Sequence, residues 1–135
     1  MANDIIKGMG FHHVALRTTD LERSLKFYKA LGTKEIVRWG AGQNEIVMLD
    51  IGDGGRLELF ANRGVDYPAE GRWQHFAFAV DDVEAAYEHA LSVGGRPCIL
   101  PKIVPLDDAR PEKISIQVAF VLGPDDEQVE FFKQV

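Results

Sequence analysis

Hydrophobic and polar residues alternate in short runs along most of the chain, a pattern typical of strands that bury one face. Two longer stretches instead repeat apolar residues every three or four positions, each with aspartate before it and glycine after it, and these predict helices. In chain order, the predicted elements are a strand at 11–17, a helix at 21–31, strands at 35–39, 45–51 and 56–61, a strand at 73–80, a helix at 83–93, and strands at 96–100, 114–122 and 128–133. The order strand, helix and three strands therefore occurs twice.

The two halves also correspond residue by residue. Three matched pairs illustrate this: His13 with His75, Asp20 with Asp82, and Glu58 with Glu130. The first two pairs are 62 residues apart and the third is 72 apart, so the second half has ten extra residues before its last strand. We expect them to form a loop at 101–112, where three prolines lie.

A repeat at a fixed offset indicates a duplicated structural unit. We expect residues 11–135 to form a single domain of two βαβββ modules, at 11–62 and 73–135. The connector between them contains Gly64, Pro68 and Gly71, which favour irregular structure. The fold class would be α+β.

Composition narrows the range of partners. The chain has 135 residues, of which 46% are hydrophobic and 27% charged, as in ordinary soluble domains. Its net charge is −6, and basic residues do not cluster, so we expect neither nucleic acid nor an anionic membrane as a partner. No apolar run approaches the roughly 18 residues needed to span a bilayer. With one cysteine, Cys98, and no signal sequence, the chain is predicted to be cytoplasmic, with a buried and unreactive thiol.

Strand alternation assigns side chains to faces, because residues i and i+2 point the same way. Each early histidine shares a face with an alanine two residues later. The residues assigned to this face are His13, Ala15, Arg17, Glu58, Phe60, Asn62, His75, Ala77, Ala79, Glu130 and Phe132. The opposite face carries large apolar residues that would pack against the helices. His12 falls on that opposite face and is predicted to be structural, and His89 is predicted to lie on a helix surface.

Two histidines and two glutamates at equivalent places suggest a metal centre. Imidazole and carboxylate together suit Zn²⁺, Ni²⁺, Co²⁺, Mn²⁺ or Fe²⁺. A divalent cation that holds two substrate oxygens stabilises an enediolate, and a nearby carboxylate can act as the base. A single histidine or glutamate in a strand is more often structural, so the case depends on the repetition of the pair.

Four segments carry a resemblance to the glyoxalase/bleomycin resistance/dioxygenase superfamily, also called vicinal oxygen chelate proteins. They are HHVALRTTDLERSLKFY, LELFANRG, WQHFAFAVDD and GPDDEQVEFF, and the resemblance extends over residues 11–133. It implies two βαβββ modules that form a curved mixed sheet with helices on the outer face. It also implies a homodimer, in which the two ligand pairs of one site come either from the same chain or from different chains. Within the superfamily the chain is most similar to glyoxalase I, or lactoylglutathione lyase.

The resemblance to glyoxalase I implies a site and a reaction. His13, Glu58, His75 and Glu130 would bind one divalent metal, with Zn or Ni expected first and Co, Mn or Fe as alternatives. Glu130 would be the principal catalytic base and Glu58 a second one, in proton transfer through a metal-bound enediolate of a methylglyoxal–thiol hemithioacetal.

Two further residues match those that hold the γ-glutamyl end of glutathione in glyoxalase I, namely Arg17 and Asn62. The alternative for Arg17 is an ion pair with a nearby acid at the end of its strand. The family's DPDG turn is replaced here by Gly123 to Asp126, Glu127 stands where an aromatic is common, and the stretch 113–117 lacks a Lys-Gly pair. These departures leave open whether the small-molecule substrate is an adduct of glutathione or of another thiol.

Other activities in the superfamily also remain open. A mononuclear-metal dioxygenase or an epimerase would use the same fold, although those members are expected to have a different residue at the place of Glu58. A metal-free binding protein of the antibiotic-resistance type would use the same cavity to hold a small molecule.

Overall fold

The computed structural model describes residues 2–30, 32–123 and 128–135. The strands are β1 (Gly10–Arg17), β2 (Lys34–Trp39), β3 (Ile46–Asp50), β4 (Arg56–Phe60), β5 (Trp73–Ala79), β6 (Arg96–Leu106), β7 (Ile114–Leu122) and β8 (Gln128–Gln134). The helices are α1 (Leu21–Ala30) and α2 (Val83–Ser92), with short 3₁₀ turns at Gly42–Asn44 and Ala69–Arg72. None of the helices in these described residues is long and apolar enough to cross a membrane.

The chain divides into two compact units. The first unit consists of residues 13–74 and 108–113, and the second consists of residues 1–12, 75–107 and 114–135. In the first unit the strands follow the order β2-β3-β4-β1, and in the second the order is β5-β8-β7-β6. The pairs β1–β4 and β5–β8 are parallel, whereas the other pairs within each unit are antiparallel. The prediction of two βαβββ modules with mixed strand pairing is therefore confirmed.

Both helices begin where the sequence predicts. The carboxylate of Asp20 accepts the Arg23 N–H at 3.1 Å, and the carboxylate of Asp82 accepts the Ala85 N–H at 3.0 Å. Each bond satisfies one of the backbone donors that a helix leaves unpaired at its N-terminus. After each helix comes a glycine with φ near +105°, Gly32 or Gly94, a conformation that costs other residues energy.

Each unit has its own hydrophobic cluster, between its helix and one face of its sheet. In the first unit, Leu21 and Leu25 of α1 pack with β3 and β4, including Val47 and Leu59. Phe27 does not join them, because it lies on the outer side of α1 and is 57% exposed, contrary to the predicted apolar face. Leu31, also assigned to that face, lies outside the described residues.

In the second unit, α2 contributes Val83, Ala86 and Tyr87 to a cluster with β7 and β8. The N-terminal segment joins this unit, since Ile6 packs against the cluster. The carbonyl oxygen of Lys7 also accepts the Asp81 N–H at 3.1 Å.

The first half of the loop expected at 101–112, residues 101–106, belongs to a strand. β6 continues to Leu106, and only a turn at 107–113 separates it from β7. Prolines commonly indicate a loop, but β6 is the edge strand of its unit, where proline costs no ladder bond at positions whose N–H would face solvent. Pro97 and Pro105 both lie in register with β7, and register shifts interrupt the pairing between Pro97 and Lys102.

The prediction that Cys98 is buried is wrong. Cys98 lies in β6, as expected, but its side chain is exposed. Neighbouring positions of this edge strand are exposed as well, including Leu100 and Ile103. Local sequence marks these residues as apolar, but the exposure of an edge strand depends on its place in the sheet.

Candidate functional site

A buried histidine and a buried glutamate lie together in the first unit. Parallel pairing of β1 with β4 places Ala15 opposite Glu58, and His13 lies two residues before Ala15 on the same face. The Nε2 atom of His13 is 3.5 Å from the Oε1 atom of Glu58. His13 is 0% exposed and Glu58 is 5% exposed.

The second unit contains the equivalent pair. Parallel pairing of β5 with β8 places Ala77 opposite Glu130, and His75 lies two residues before Ala77. The Nε2 atom of His75 is 2.9 Å from the Oε2 atom of Glu130. His75 is 8% exposed and Glu130 is 5% exposed, and the Phe120 ring lies edge-on to the imidazole at 5.2 Å.

Local sequence explains how each His–Glu pair forms. On the opposite face of β1, Val14 and Leu16 pack against the cluster beneath α1, which turns His13 to the other side. Ala15 and Ala77 are fully buried, and their small side chains leave room for the longer histidine and glutamate beside them. A buried carboxylate is costly unless a hydrogen-bonding or charged partner compensates it, and each pair sets an imidazole nitrogen beside the carboxylate.

The donor atoms of each pair fit a divalent metal. Bond lengths of about 2.0–2.2 Å to imidazole nitrogen and carboxylate oxygen put two ligands of one ion about 3.0 Å apart at right angles and about 3.4 Å apart in a tetrahedron. The nitrogen–oxygen separations of 2.9 Å and 3.5 Å in the two pairs match this range. Each pair can therefore supply two ligands to a metal with little movement.

The predicted substrate residues Arg17 and Asn62 line one pocket in the first unit, with a volume of about 100 Å³. The Arg17 Nη1 donates to the carbonyl oxygen of Gly71 at 2.7 Å, and its guanidinium stacks 4.3 Å from the centre of the Tyr67 ring. The Asn62 side chain bridges two loops, since its Nδ2 donates to Thr19 O and its Oδ1 accepts the Gly64 N–H.

The alternative explanation for Arg17 was an ion pair with a nearby acid. Among the described residues, its partners are instead a backbone carbonyl and an aromatic ring. Nothing in the alternation of the strands marked Arg63 or Tyr67 as part of this pocket, or Gly71 as the partner of Arg17. They lie in the irregular connector between the modules, where the only signal was a concentration of glycine and proline.

The two other histidines have separate surroundings. The His12 ring lies 4.2 Å from the Phe132 ring, and its structural role stays a prediction. His89 is half-buried on α2, so it is less exposed than a surface position would be. The departures from the family pattern at 124–127 lie outside the described residues.

Comparisons with known proteins agree with this architecture. The model of the Glyoxalase/Bleomycin resistance protein/Dioxygenase superfamily matches residues 10–131. A lactoylglutathione lyase from Haemophilus influenzae is 30% identical over 128 residues, covering 90% of this chain and 90% of the relative. A probable lactoylglutathione lyase from Vibrio cholerae is 28% identical, covering 90% and 88%. The solved structure of methylmalonyl-CoA epimerase from Mycobacterium tuberculosis has a TM-score of 0.67 at 18% identity, over 100% of this chain and 93% of that chain, which shows a shared fold.

Proposed function

Because the chain belongs to the Glyoxalase/Bleomycin resistance protein/Dioxygenase superfamily, we propose that it is a divalent-metal-dependent lyase or isomerase of the glyoxalase I type. Its substrate would be the hemithioacetal of methylglyoxal and a small thiol, either glutathione or another. Two relatives named as lactoylglutathione lyase or probable lactoylglutathione lyase support this reaction class.

The observation that carries the proposal is the repeated His–Glu pair. Four ionisable side chains are buried at equivalent register positions, with imidazole nitrogen and carboxylate oxygen 2.9 Å and 3.5 Å apart. Burying four such groups opposes folding. If these positions served only to pack the core, apolar residues of similar size would do so at lower cost. A metal function explains why both modules contain the pair.

In this proposal His13, Glu58, His75 and Glu130 together hold one divalent metal, Zn²⁺ or Ni²⁺ in the first instance. The metal, when bound, supplies Lewis acidity that makes a C–H bond beside a substrate oxygen more acidic. Glu130 is the principal base, which takes the proton from C1 of the hemithioacetal and returns it to C2. Glu58 is a ligand and the second base. Arg17 and Asn62 bind the far end of the thiol.

Metal analysis tests this proposal directly. Protein purified without chelator should contain about one divalent metal per chain, since the ligand set is that of a single four-ligand site. The variants Glu58→Gln and His75→Ala should each lose or weaken metal binding. His89→Ala is the matched control, because His89 lies on α2 and belongs to neither His–Glu pair, and it should retain the metal. A wild-type protein that takes up no metal after addition of Zn²⁺ or Ni²⁺ would contradict the proposal and point to a metal-free binding protein.

Assays on the metal-loaded protein separate the reaction classes. We expect turnover of methylglyoxal hemithioacetals without oxygen consumption. Oxygen uptake with a catechol, and activation by Fe²⁺ only, would instead identify a dioxygenase. Exchange of a proton on an acyl thioester without a hemithioacetal would identify an epimerase.

We also propose that the chain forms a homodimer. The edge strand β6 has exposed apolar side chains, including Leu100 at 69% and Ile103 at 61%, which a second copy would cover. Sedimentation equilibrium should give twice the chain mass of 15.1 kDa. A monomer at micromolar concentration would contradict this assembly.

A further inference from the structure

The pocket that contains Arg17 is cationic, although the chain as a whole has a net charge of −6. Arg17 and Arg63 both line it, and none of its described lining residues is acidic. The nearby Asp66 lines a neighbouring depression instead, where its carboxylate lies 3.5 Å from the Arg72 guanidinium. The pocket therefore concentrates positive charge in a predominantly acidic protein.

Arg17 is held in a defined orientation. The hydrogen bond from its Nη1 to Gly71 O and the stacking on Tyr67 fix the guanidinium plane. Among the described residues, the Arg17 side chain donates only through Nη1, to Gly71 O. Its Nε and Nη2 atoms can therefore donate to a ligand. A guanidinium with two parallel donors matches the two oxygens of a carboxylate or phosphate.

Arg63 supplies the second charge. Its guanidinium lies 4.9 Å from the centre of the Phe60 ring, and Phe60 also lines the pocket. Among the described residues, Arg63 has no ion pair within 4 Å, so its charge is available to a ligand. Two arginines, each with its guanidinium over an aromatic ring, thus line one small cavity.

The volume of the pocket limits what enters it. A cavity of about 100 Å³ is below the roughly 300 Å³ at which pockets accept a whole drug-sized ligand, so it holds one end group of a larger molecule. The γ-glutamyl end of glutathione carries an ammonium group as well as a carboxylate. No described acidic side chain lines the pocket to pair with that ammonium.

We propose that this pocket selects a substrate whose end group is a dianion, a dicarboxylate or a phosphate, over one with a zwitterionic amino acid end. Arg17 binds one anionic group and Arg63 binds the second charge. The inference rests on the proposed function, which places the far end of the thiol in this pocket. The binding step itself requires no metal.

A matched series of four-carbon acids tests the charge preference. Succinate is a dianion, butyrate a monoanion and γ-aminobutyrate a zwitterion, and inorganic phosphate tests the tetrahedral alternative. Titration of the 135-residue protein, followed by two-dimensional NMR, should show succinate or phosphate binding about five-fold or more tighter than butyrate and γ-aminobutyrate. Whichever dianion binds tighter identifies the end group.

Three variants locate the effect. Arg63→Gln should weaken dianion binding about five-fold, because it removes one exposed positive charge. Its affinity for butyrate should stay within about two-fold of the wild-type value. Arg17→Gln should weaken both. Arg72→Gln is the matched control, since Arg72 lies in the same connector but lines the neighbouring depression, and it should bind all ligands as the wild type does.

The outcomes separate this inference from the metal proposal. Succinate binding that persists in His75→Ala shows that the pocket acts independently of the His–Glu pairs, even if the metal proposal fails. Equal affinity for succinate, butyrate and γ-aminobutyrate, dianion binding unchanged in Arg63→Gln, or no binding of any of the four ligands would each overturn the inference.

Discussion

Glu58 and Glu130 occupy equivalent places, yet their contacts differ. The oxygen–nitrogen distance to the paired histidine is 3.5 Å for Glu58 and 2.9 Å for Glu130. A catalytic carboxylate moves away from its histidine to accept the substrate proton. Afterwards the carboxylate needs a polar group to which it can return. The proposal assigns that role principally to Glu130.

Replacement of Glu130 by glutamine tests this assignment. The amide keeps an oxygen that can coordinate a metal but cannot accept the proton, so turnover should fall by about 10²–10⁴-fold while part of the metal is retained. Activity and metal content should be measured on the same preparation. Glu88→Gln, on the exposed side of α2, is the control and should behave as wild type. An unchanged turnover number in Glu130→Gln would exclude Glu130 as the base.

At the scale of elements, the duplicated helix caps provide a paired experiment. Asp20 and Asp82 each accept an N–H from the residue three positions later, at 3.1 Å and 3.0 Å. Asp20→Ala and Asp82→Ala should each lower the free energy of unfolding by about 1 kcal/mol, because a backbone donor loses its partner. Urea denaturation followed by circular dichroism measures this.

The control for the caps is Glu88→Ala, which removes an acidic side chain from α2 without removing a cap. Its stability should stay within about 0.5 kcal/mol of wild type. If Asp20→Ala or Asp82→Ala were as stable as this control, the corresponding hydrogen bond would contribute nothing in solution.

Contacts between distant parts of the chain appear most clearly around Arg38 in the first unit. Its guanidinium contacts the carboxylates of Glu35 and Glu45. Its backbone exchanges two hydrogen bonds with Arg110, at 3.0 Å and 2.8 Å. The Gly40 N–H also donates to the carboxylate of Asp108 at 2.7 Å. These bonds attach the segment 108–113 to β2, although about 70 residues separate them along the chain.

Because of this cluster, the free energy of unfolding should decrease as the pH becomes acidic. The hydrogen bonds from Arg38 lower the pKa of Glu35 from its ordinary value of 4.5, despite the opposing effect of partial burial. Because the pKa of the folded state is lower than that of the unfolded state, the stabilisation is complete above pH 4.5 and is lost as pH falls through the lowered pKa. Glu35→Gln should therefore cost up to about 1 kcal/mol at pH 7.

Urea denaturation of Glu35→Gln at pH 7 and at successively lower pH measures this difference. The gap between variant and wild type should close below pH 4.5. Glu112→Gln is a suitable control, since Glu112 is exposed in the same segment that Arg38 holds. A gap that stays constant down to acid pH would show that the loss comes from packing rather than from ionisation.

Features that depend on neighbours along the chain were predictable from sequence alone. Alternation and the internal repeat predicted the two βαβββ modules, the aspartate caps, and the face of its own strand on which each of His13 and His75 lies. Each depends on the geometry of one strand or helix, in which side-chain direction follows from residue number. The equivalence of Glu58 and Glu130 followed from the repeated segments LELF and VEFF, which lie 72 residues apart.

Other features were decided only by the tertiary structure. The parallel register that sets Ala15 beside Glu58, the extension of β6 through its prolines, and the exposure of Cys98 all depend on which strands lie beside one another. The pocket likewise requires the connector to bring Tyr67 and Gly71 to Arg17, which precedes Gly71 by 54 residues. Such contacts leave no local pattern, because they result from closing long loops over a packed sheet rather than from the period of any single element.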